Sequence, residues 1–265
     1  MNFKRNVILF DLDETLIIEY TSAQEALLTA CSIAKNRYGV DPYELREVVF
    51  KEARKLWHQL PTYKYCRIIG ISSWEALWAE FLGEHKKLKE LRGLQEEYRM
   101  KSWDNALILF NIKNIQFAKE LSDRFIEERR KIHNLFNDVP DILTALQKDY
   151  RLGIVTNGSP DLQMAKIKGG KLEDFFEYIL ISGDVNFGKP DKRIFKKALD
   201  RFNVKKESVI MVGDSIRTDI AGANNAGISS IWLNRSDKEN ETSIKPAATI
   251  KDLAELPEKL RVLSF

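Results

Sequence analysis

The chain has 265 residues, 44% hydrophobic and 31% charged, enough for one large globular domain or for a core domain with a second lobe. Its 42 basic and 39 acidic residues leave a formal charge of +3, a balance that gives no nucleic-acid or membrane-surface signal. Two cysteines, Cys31 and Cys66, are too few for a disulfide framework and lie in no metal-binding spacing, so both read as small buried hydrophobes in a reducing compartment.

The opening residues, MNFKRNVILFD, set basic groups before an apolar run that is too short for a signal sequence and is broken by Asp11. No stretch approaches the roughly 20 apolar residues of a membrane span. A cytoplasmic protein acting on a small molecule, monomer or homodimer, is the expectation, with no nucleic-acid or membrane partner. Residues 6–10 read as a buried strand that runs straight into Asp11, Asp13 and Glu14. From about 20 to 136 the pattern turns helical, over 21–38, 42–57 and 115–132. Within it Ser73 precedes Trp74, Leu77, Trp78 and Phe81 at i, i+3, i+4, i+7 spacing, which predicts a helix with a core-facing stripe. The basic run HKKLKELR at 85–92 reads as a solvated helix face. His58, His85 and His133 share no pattern, and Arg67, Arg99 and Lys101 read as ordinary surface residues, although an anionic leaving group would suit them.

The chain returns to strand character after Asp138. The runs 151–157, 178–184, 208–214 and 229–234 alternate with helical stretches at 160–174, 190–202 and 217–226. Continuous apolar strands alternating with helices indicate an α/β, Rossmann-like parallel sheet with helices on both faces. An α-helical domain is inserted after the first strand. The expected division is 1–18 with 137–265 for the sheet domain and 19–136 for the helical one.

Ligands of an open parallel sheet bind beyond the carboxyl ends of its strands, and four such ends carry polar clusters here. DLDET offers a carboxylate that could act as a nucleophile, with a second, two residues on, able to move a proton. A divalent cation would offset the repulsion between them; a helix cap or polar turn would also use these residues. Thr156-Asn157-Gly158 suits a phosphate's oxygens or any turn. Lys189, held before Pro190, could aim an ammonium at phosphoryl charge or lie on the surface. GDSIRTD places Asp214 and Asp219 where hard oxygen ligands would hold Mg²⁺, or where an Asp or Ser would cap a helix. Taken together, a nucleophile, a proton carrier, a hydroxyl, a cation and metal ligands fall one after another at strand ends.

With FDLDET, IVTNG, GKPDKRIF and VGDSIRTDIAGANNAG in this order, the sequence resembles the haloacid dehalogenase-like hydrolase superfamily in its phosphatase branch. IWLNR at 231–235 is similar to a tail found in the subgroup of N-acylneuraminate-9-phosphatase-like and nucleotide 5′-phosphatase-like members. The resemblance covers residues 6–16 and about 138–236, while the helical insertion matches the family's first-type cap by position only. It implies Asp11 as the phosphate-accepting nucleophile and Asp13 as general acid/base, with Thr156 and Lys189 completing the catalytic set. Thr156, Asn157 and Lys189 would contact or balance the phosphoryl group. Asp11, the Asp13 carbonyl and Asp214 would bind Mg²⁺, supported by Asp219. Glu14 stands where many relatives have Gly or Asn, and Lys192 where a second proline often follows. The implied reaction is hydrolysis of a small phosphate monoester, nucleotide or sugar phosphate favoured, through an aspartyl-phosphate. The rivals are a dehalogenase or phosphomutase on the same fold, a phospho-acceptor signalling domain, and a catalytically silent binding protein.

Overall fold

The computed structural model describes residues 6–265; residues 1–5, which the sequence reading grouped with the sheet domain, lie outside the described residues. In chain order the strands are β1 (Val7–Phe10), β2 (Arg151–Thr156), β3 (Tyr178–Ile181), β4 (Val209–Gly213), β5 (Ser229–Leu233) and β6 (Ala248–Ile250). The helices are α1 (Glu19–Tyr38), α2 (Pro42–Gln59), α3 (Tyr63–Ile69), α4 (Lys86–Ile108), α5 (Ile115–Arg129), α6 (Val139–Leu146), α7 (Pro160–Gly169), α8 (Ser182–Val185), α9 (Lys192–Phe202), α10 (Ala221–Ala226) and α11 (Leu256–Val262). The chain separates into a sheet unit, through Ile18 with 135–157 and 170–265, and a helical unit, 19–134 with 158–169. Residues 158–169, which the sequence reading kept with the sheet, cluster with the helices instead.

The sheet unit is an α/β layer structure, six parallel strands in the order β3-β2-β1-β4-β5-β6 with helices on both faces. β1 lies inside the sheet between β2 and β4, and its four residues are all buried, which is why it reads as an unbroken apolar run. Phe10 pairs with Ile154 on one side and with Val212 on the other, so the three strands end side by side. Val7 and Leu9 share a cluster with Ile194, Phe195, Ala198 and Phe202 of α9. Gly153 is needed at that contact, because a Cβ there would sit 2.8 Å from the Phe202 ring. The short strand β6 had no signal in the sequence: ATI is too brief to show an apolar pattern.

Within the helical unit α1, α2 and α5 form where the periodicity predicts helix, whereas α3 and α4 beyond the basic run at 85–92 had no such expectation. α1 buries Ala23, Ala26, Leu27, Ala30, Cys31 and Ala34, a stripe at three- and four-residue spacing. Asp41 caps α2 by accepting N–H bonds from Tyr43 (2.9 Å) and Glu44 (3.0 Å), and Asn114 caps α5 through Phe117 N–H at 3.0 Å.

One expected helix is absent. Trp74 to Phe81 contains only a 3₁₀ turn at Glu75–Leu77, and Phe81 has φ of +50°. Leu77, Trp78 and Phe81 are buried as a helical stripe would be, but side chains take the main-chain bonds. The Tyr98 hydroxyl donates to Ser73 O (2.6 Å), Arg99 to Ala79 O (2.5 Å) and Arg92 to Phe81 O (3.0 Å). Asp161 accepts the N–H groups of Glu80 (2.8 Å) and Leu82 (3.2 Å). Arg99 is therefore not the surface residue expected; its side chain is only 11% exposed.

Candidate active site

The candidate site is built wholly from the sheet unit. Asp11 follows β1 directly and donates its N–H to Val212 O at 2.9 Å, so the neighbouring strand fixes its backbone. The chain turns back at once, with Glu14 N–H donating to Ile17 O (2.8 Å) and Leu16 N–H to Leu12 O (2.9 Å). Glu14 takes φ of +57°, a region Gly and Asn enter more easily. That is the physical reason a small residue suits this position. Asp13 sits in the same turn, partly exposed and bridged to Ile17.

Thr156 ends β2 and is buried, at the tip of the strand next to β1. Asn157 is engaged differently from the expected phosphoryl contact. Its Oδ1 accepts the Lys189 N–H (2.8 Å) and its Nδ2 donates to the Lys189 carbonyl (2.9 Å), so it brackets that residue's main chain.

Lys189 precedes a cis peptide to Pro190 and is 4% exposed, which rules out the surface alternative. Its Nζ lies 2.6 Å from Asp11 Oδ1 and 2.6 Å from Asp219 Oδ1. Burial by itself would lower this ammonium's pKa; the Asp11 and Asp219 carboxylates outweigh it and hold the pKa above its ordinary value.

Asp214 follows β4. Its N–H donates to Thr15 Oγ1 (3.1 Å), and its carbonyl accepts from Trp232 Nε1 (2.8 Å). The next residues form a π-helical turn, Ile216–Ile220, a widened turn common at functional sites. The cap of that turn is Ser215, whose Oγ accepts Thr218 N–H at 3.3 Å, so neither aspartate is used as a cap. Asp219 is fully buried, and its Oδ2 accepts Ser215 N–H at 3.0 Å. Gly213 makes room for it, since a Cβ there would overlap the Asp219 carboxylate.

One oxygen from each of Asp11, Asp214 and Asp219 lies within 4.8 Å of the others. Among the described residues one ammonium, that of Lys189, pairs with this cluster, so with all three carboxylates ionised two negative charges would be left unmatched. Burial, and then the Asp219 charge, push the Asp11 carboxyl well above the usual range despite Lys189. Burial and Asp219 likewise push Asp214 up to about 7, with Glu14 and Asp13 adding to the rise. A hard, oxygen-only donor set with two excess negative charges fits a divalent cation such as Mg²⁺.

Three further residues brace the site and carried no assigned role in the sequence. Thr15 and Trp232 hold the Asp214 main chain. Arg235 donates to both Asp138 oxygens (2.9 and 3.0 Å) and to Thr15 O (3.2 Å), tying the returning chain to the DLDET turn. The IWLNR tail was the only signal for the last two, and it had no chemistry attached.

The family model described as haloacid dehalogenase-like hydrolase matches residues 8–233. The chain is 32% identical over 251 residues to a phosphoserine phosphatase of Thermus thermophilus, covering 94% of this chain and 97% of that protein. It is 34% identical over 163 residues to a pyrimidine 5′-nucleotidase of Escherichia coli, covering 61% and 69%. Among solved structures, a 2-haloacid dehalogenase from Pseudomonas syringae aligns with a TM-score of 0.62 at 26% identity, over 98% of this chain and 99% of that one. No helix among the described residues is long and apolar enough to cross a membrane.

Proposed function

The chain belongs to the haloacid dehalogenase-like hydrolases, and from that premise we propose that it is a Mg²⁺-dependent phosphatase of small phosphate monoesters. The observation that carries this reading is the buried Asp11–Lys189–Asp219 ion chain, 2.6 Å at each link, with Asp214 beside it.

Lys189 holds one Asp11 oxygen, leaving the other to attack phosphorus in line. The bond from phosphorus to the leaving oxygen breaks as Asp13 gives its proton to the departing alkoxide. Asp13 then takes a proton from water, whose oxygen attacks the same phosphorus. The acyl-phosphate bond breaks, returning the Asp11 carboxylate and inorganic phosphate. The Lys189 ammonium and Thr156 hydroxyl bind the phosphoryl oxygens, because this transfer is accelerated mainly by positioning and electrostatics. Asn157 keeps Lys189 in place. Asp11, the Asp13 carbonyl and Asp214 would hold Mg²⁺, which when bound keeps neighbouring carboxylates ionised and draws charge from the phosphoryl oxygens.

The helical unit takes the role of the cap that selects the leaving group. The relatives' names include a phosphoserine phosphatase, a pyrimidine 5′-nucleotidase, a glyceraldehyde 3-phosphate phosphatase and an N-acylneuraminate-9-phosphatase, so small amino-acid, nucleotide and sugar phosphates are the substrate classes to assay. Dehalogenation is the second reading, favoured by the Pseudomonas syringae likeness. That chemistry needs neither a proton donor at Asp13 nor a metal ligand at Asp214.

The test is a panel of such phosphate esters, with 2-haloacids alongside, assayed with Mg²⁺ and with EDTA. Phosphate release that requires Mg²⁺ and is abolished in Asp11→Asn is the expected result. Full Mg²⁺-dependent turnover in Asp11→Asn would falsify the assignment of the nucleophile, and halide release without metal would select the second reading.

A further inference from the structure

The Trp232 indole takes no part in the chemistry above, yet it holds the segment that carries two of the acidic residues. β5 pairs Trp232 with Gly213, so the ring reaches the following residue from the adjacent strand. Its Nε1–H donates to Asp214 O at 2.8 Å, while Asp214 N–H donates to the buried Thr15 Oγ1 at 3.1 Å. The N–H and the carbonyl of Asp214 are thus both tied to side chains, one from the turn after β1 and one from β5. With its backbone so fixed, the Asp214 carboxylate keeps only its own side-chain torsions as freedom.

The ring also packs on Ile216 and Ile220 of the π-helical turn that carries Asp219. A phenyl ring would fill that apolar contact, but only the indole N–H reaches a main-chain acceptor. Trp232 is 7% exposed, and its edge borders a cleft of about 250 Å³ that Asp214 also lines.

We propose that Trp232 is a positioning residue for the divalent-cation site, setting the Asp214 carboxylate through its main-chain carbonyl. This rests on the metal reading given above. Partners that orient a metal ligand typically change metal affinity by about 10- to 100-fold when removed.

Calorimetric titration of the full chain with Mg²⁺ tests it, using wild type, Trp232→Phe and, as the non-binding reference, Asp214→Asn, with melting in EDTA measured in parallel. The expected result is Mg²⁺ affinity about tenfold weaker or more in Trp232→Phe, with a melting temperature in EDTA close to wild type. In wild type, the Trp232 Nε1–H proton resonance shifts as Mg²⁺ is added and saturates with the calorimetric curve, a readout that needs no variant to fold. Unchanged affinity in Trp232→Phe, a loss confined to melting in EDTA, or a Trp232 resonance blind to Mg²⁺ each overturns the proposal and leaves the metal reading standing. Wild type that binds Mg²⁺ no better than Asp214→Asn removes the metal reading, and this proposal with it.

Discussion

Asn157 commits its side-chain amide to the peptide groups on either side of the Lys189 Cα, at 2.8 and 2.9 Å. An amide is suited to this because it presents a donor and an acceptor side by side, matching the N–H and C=O of one residue. From that fixed main chain the Lys189 ammonium reaches Asp11 and Asp219. Asn157→Ala leaves both peptide groups short of a partner, and the expected cost is about 1–2 kcal/mol, read from the denaturant midpoint. Turnover should fall more than apparent substrate affinity, because what is displaced is a charge that acts on the reacting phosphoryl group. Asn157→Asp, which keeps an acceptor but loses the donor, should lie between the two in both measurements. The TNG run marked this position as polar and near the site. It gave no indication that the amide's partner is 32 residues away, since a pairing at that separation has no local pattern.

α7 is tied into the helical unit by charge that is fully enclosed. Lys166 is 0% exposed and donates to Glu75 Oε1 at 2.8 Å, with Glu19 Oε1 at 3.3 Å. Arg129, also buried, donates to Glu19 and lies with its guanidinium 4.6 Å from the centre of the Trp78 ring. Glu75 further accepts from Ser72 N–H (3.0 Å) and Ser72 Oγ (2.7 Å), which helps explain why its segment stays out of helix. Breaking a buried pair from one side strands the other charge. Lys166→Met is therefore expected to destabilise the protein by about 3–5 kcal/mol in denaturant unfolding. Adding Glu75→Gln should recover a large part of that loss, because no carboxylate at position 75 then lacks its cation. The periodicity of Trp74 to Phe81 identified which side chains are buried. It could not reveal the conformation, because the bonds that replace the helix come from Arg92, Tyr98, Arg99 and Asp161.

The packed carboxylates also set how stability of the molecule as a whole responds to pH and metal. Asp11 and Asp214 bind protons more tightly when folded than when unfolded, Asp214 with a pKa of about 7 against an ordinary 3.8. Between about pH 4 and 7 unfolding therefore releases protons, and this contribution to stability falls as pH rises through that window. His133 works in the opposite sense: burial lowers its pKa when folded, so acid favours unfolding there. A divalent cation needs the carboxylates ionised and binds the folded state, so its stabilisation grows as they lose their protons. The melting temperature in Mg²⁺ minus that in EDTA should thus widen from pH 5 to pH 8, a difference in which the metal-independent His133 contribution cancels. Asp214→Asn should flatten it. A difference independent of pH in the wild type would show that these carboxylates do not release protons to bind metal.

How much of this was legible in advance follows from the range over which each signal acts. A strand buried on both faces must be apolar along its whole length, as Val7–Phe10 and Val209–Gly213 are, so the parallel sheet and its acidic strand ends could be read from neighbouring residues alone. Periodicity acts within a few residues, and α1, α2 and α5 appear close to where it places them. The choice between competing uses of one side chain depends on partners far off in the chain. Lys189 is an internal cation rather than a surface one because Asp11, 178 residues away, meets it across the sheet. Asp214 is held by Thr15, 199 residues away, and Asp219 fits only because Gly213 has no side chain. Such contacts exist only once the strands are side by side, because desolvation and charge pairing depend on distance in space, not on separation along the chain.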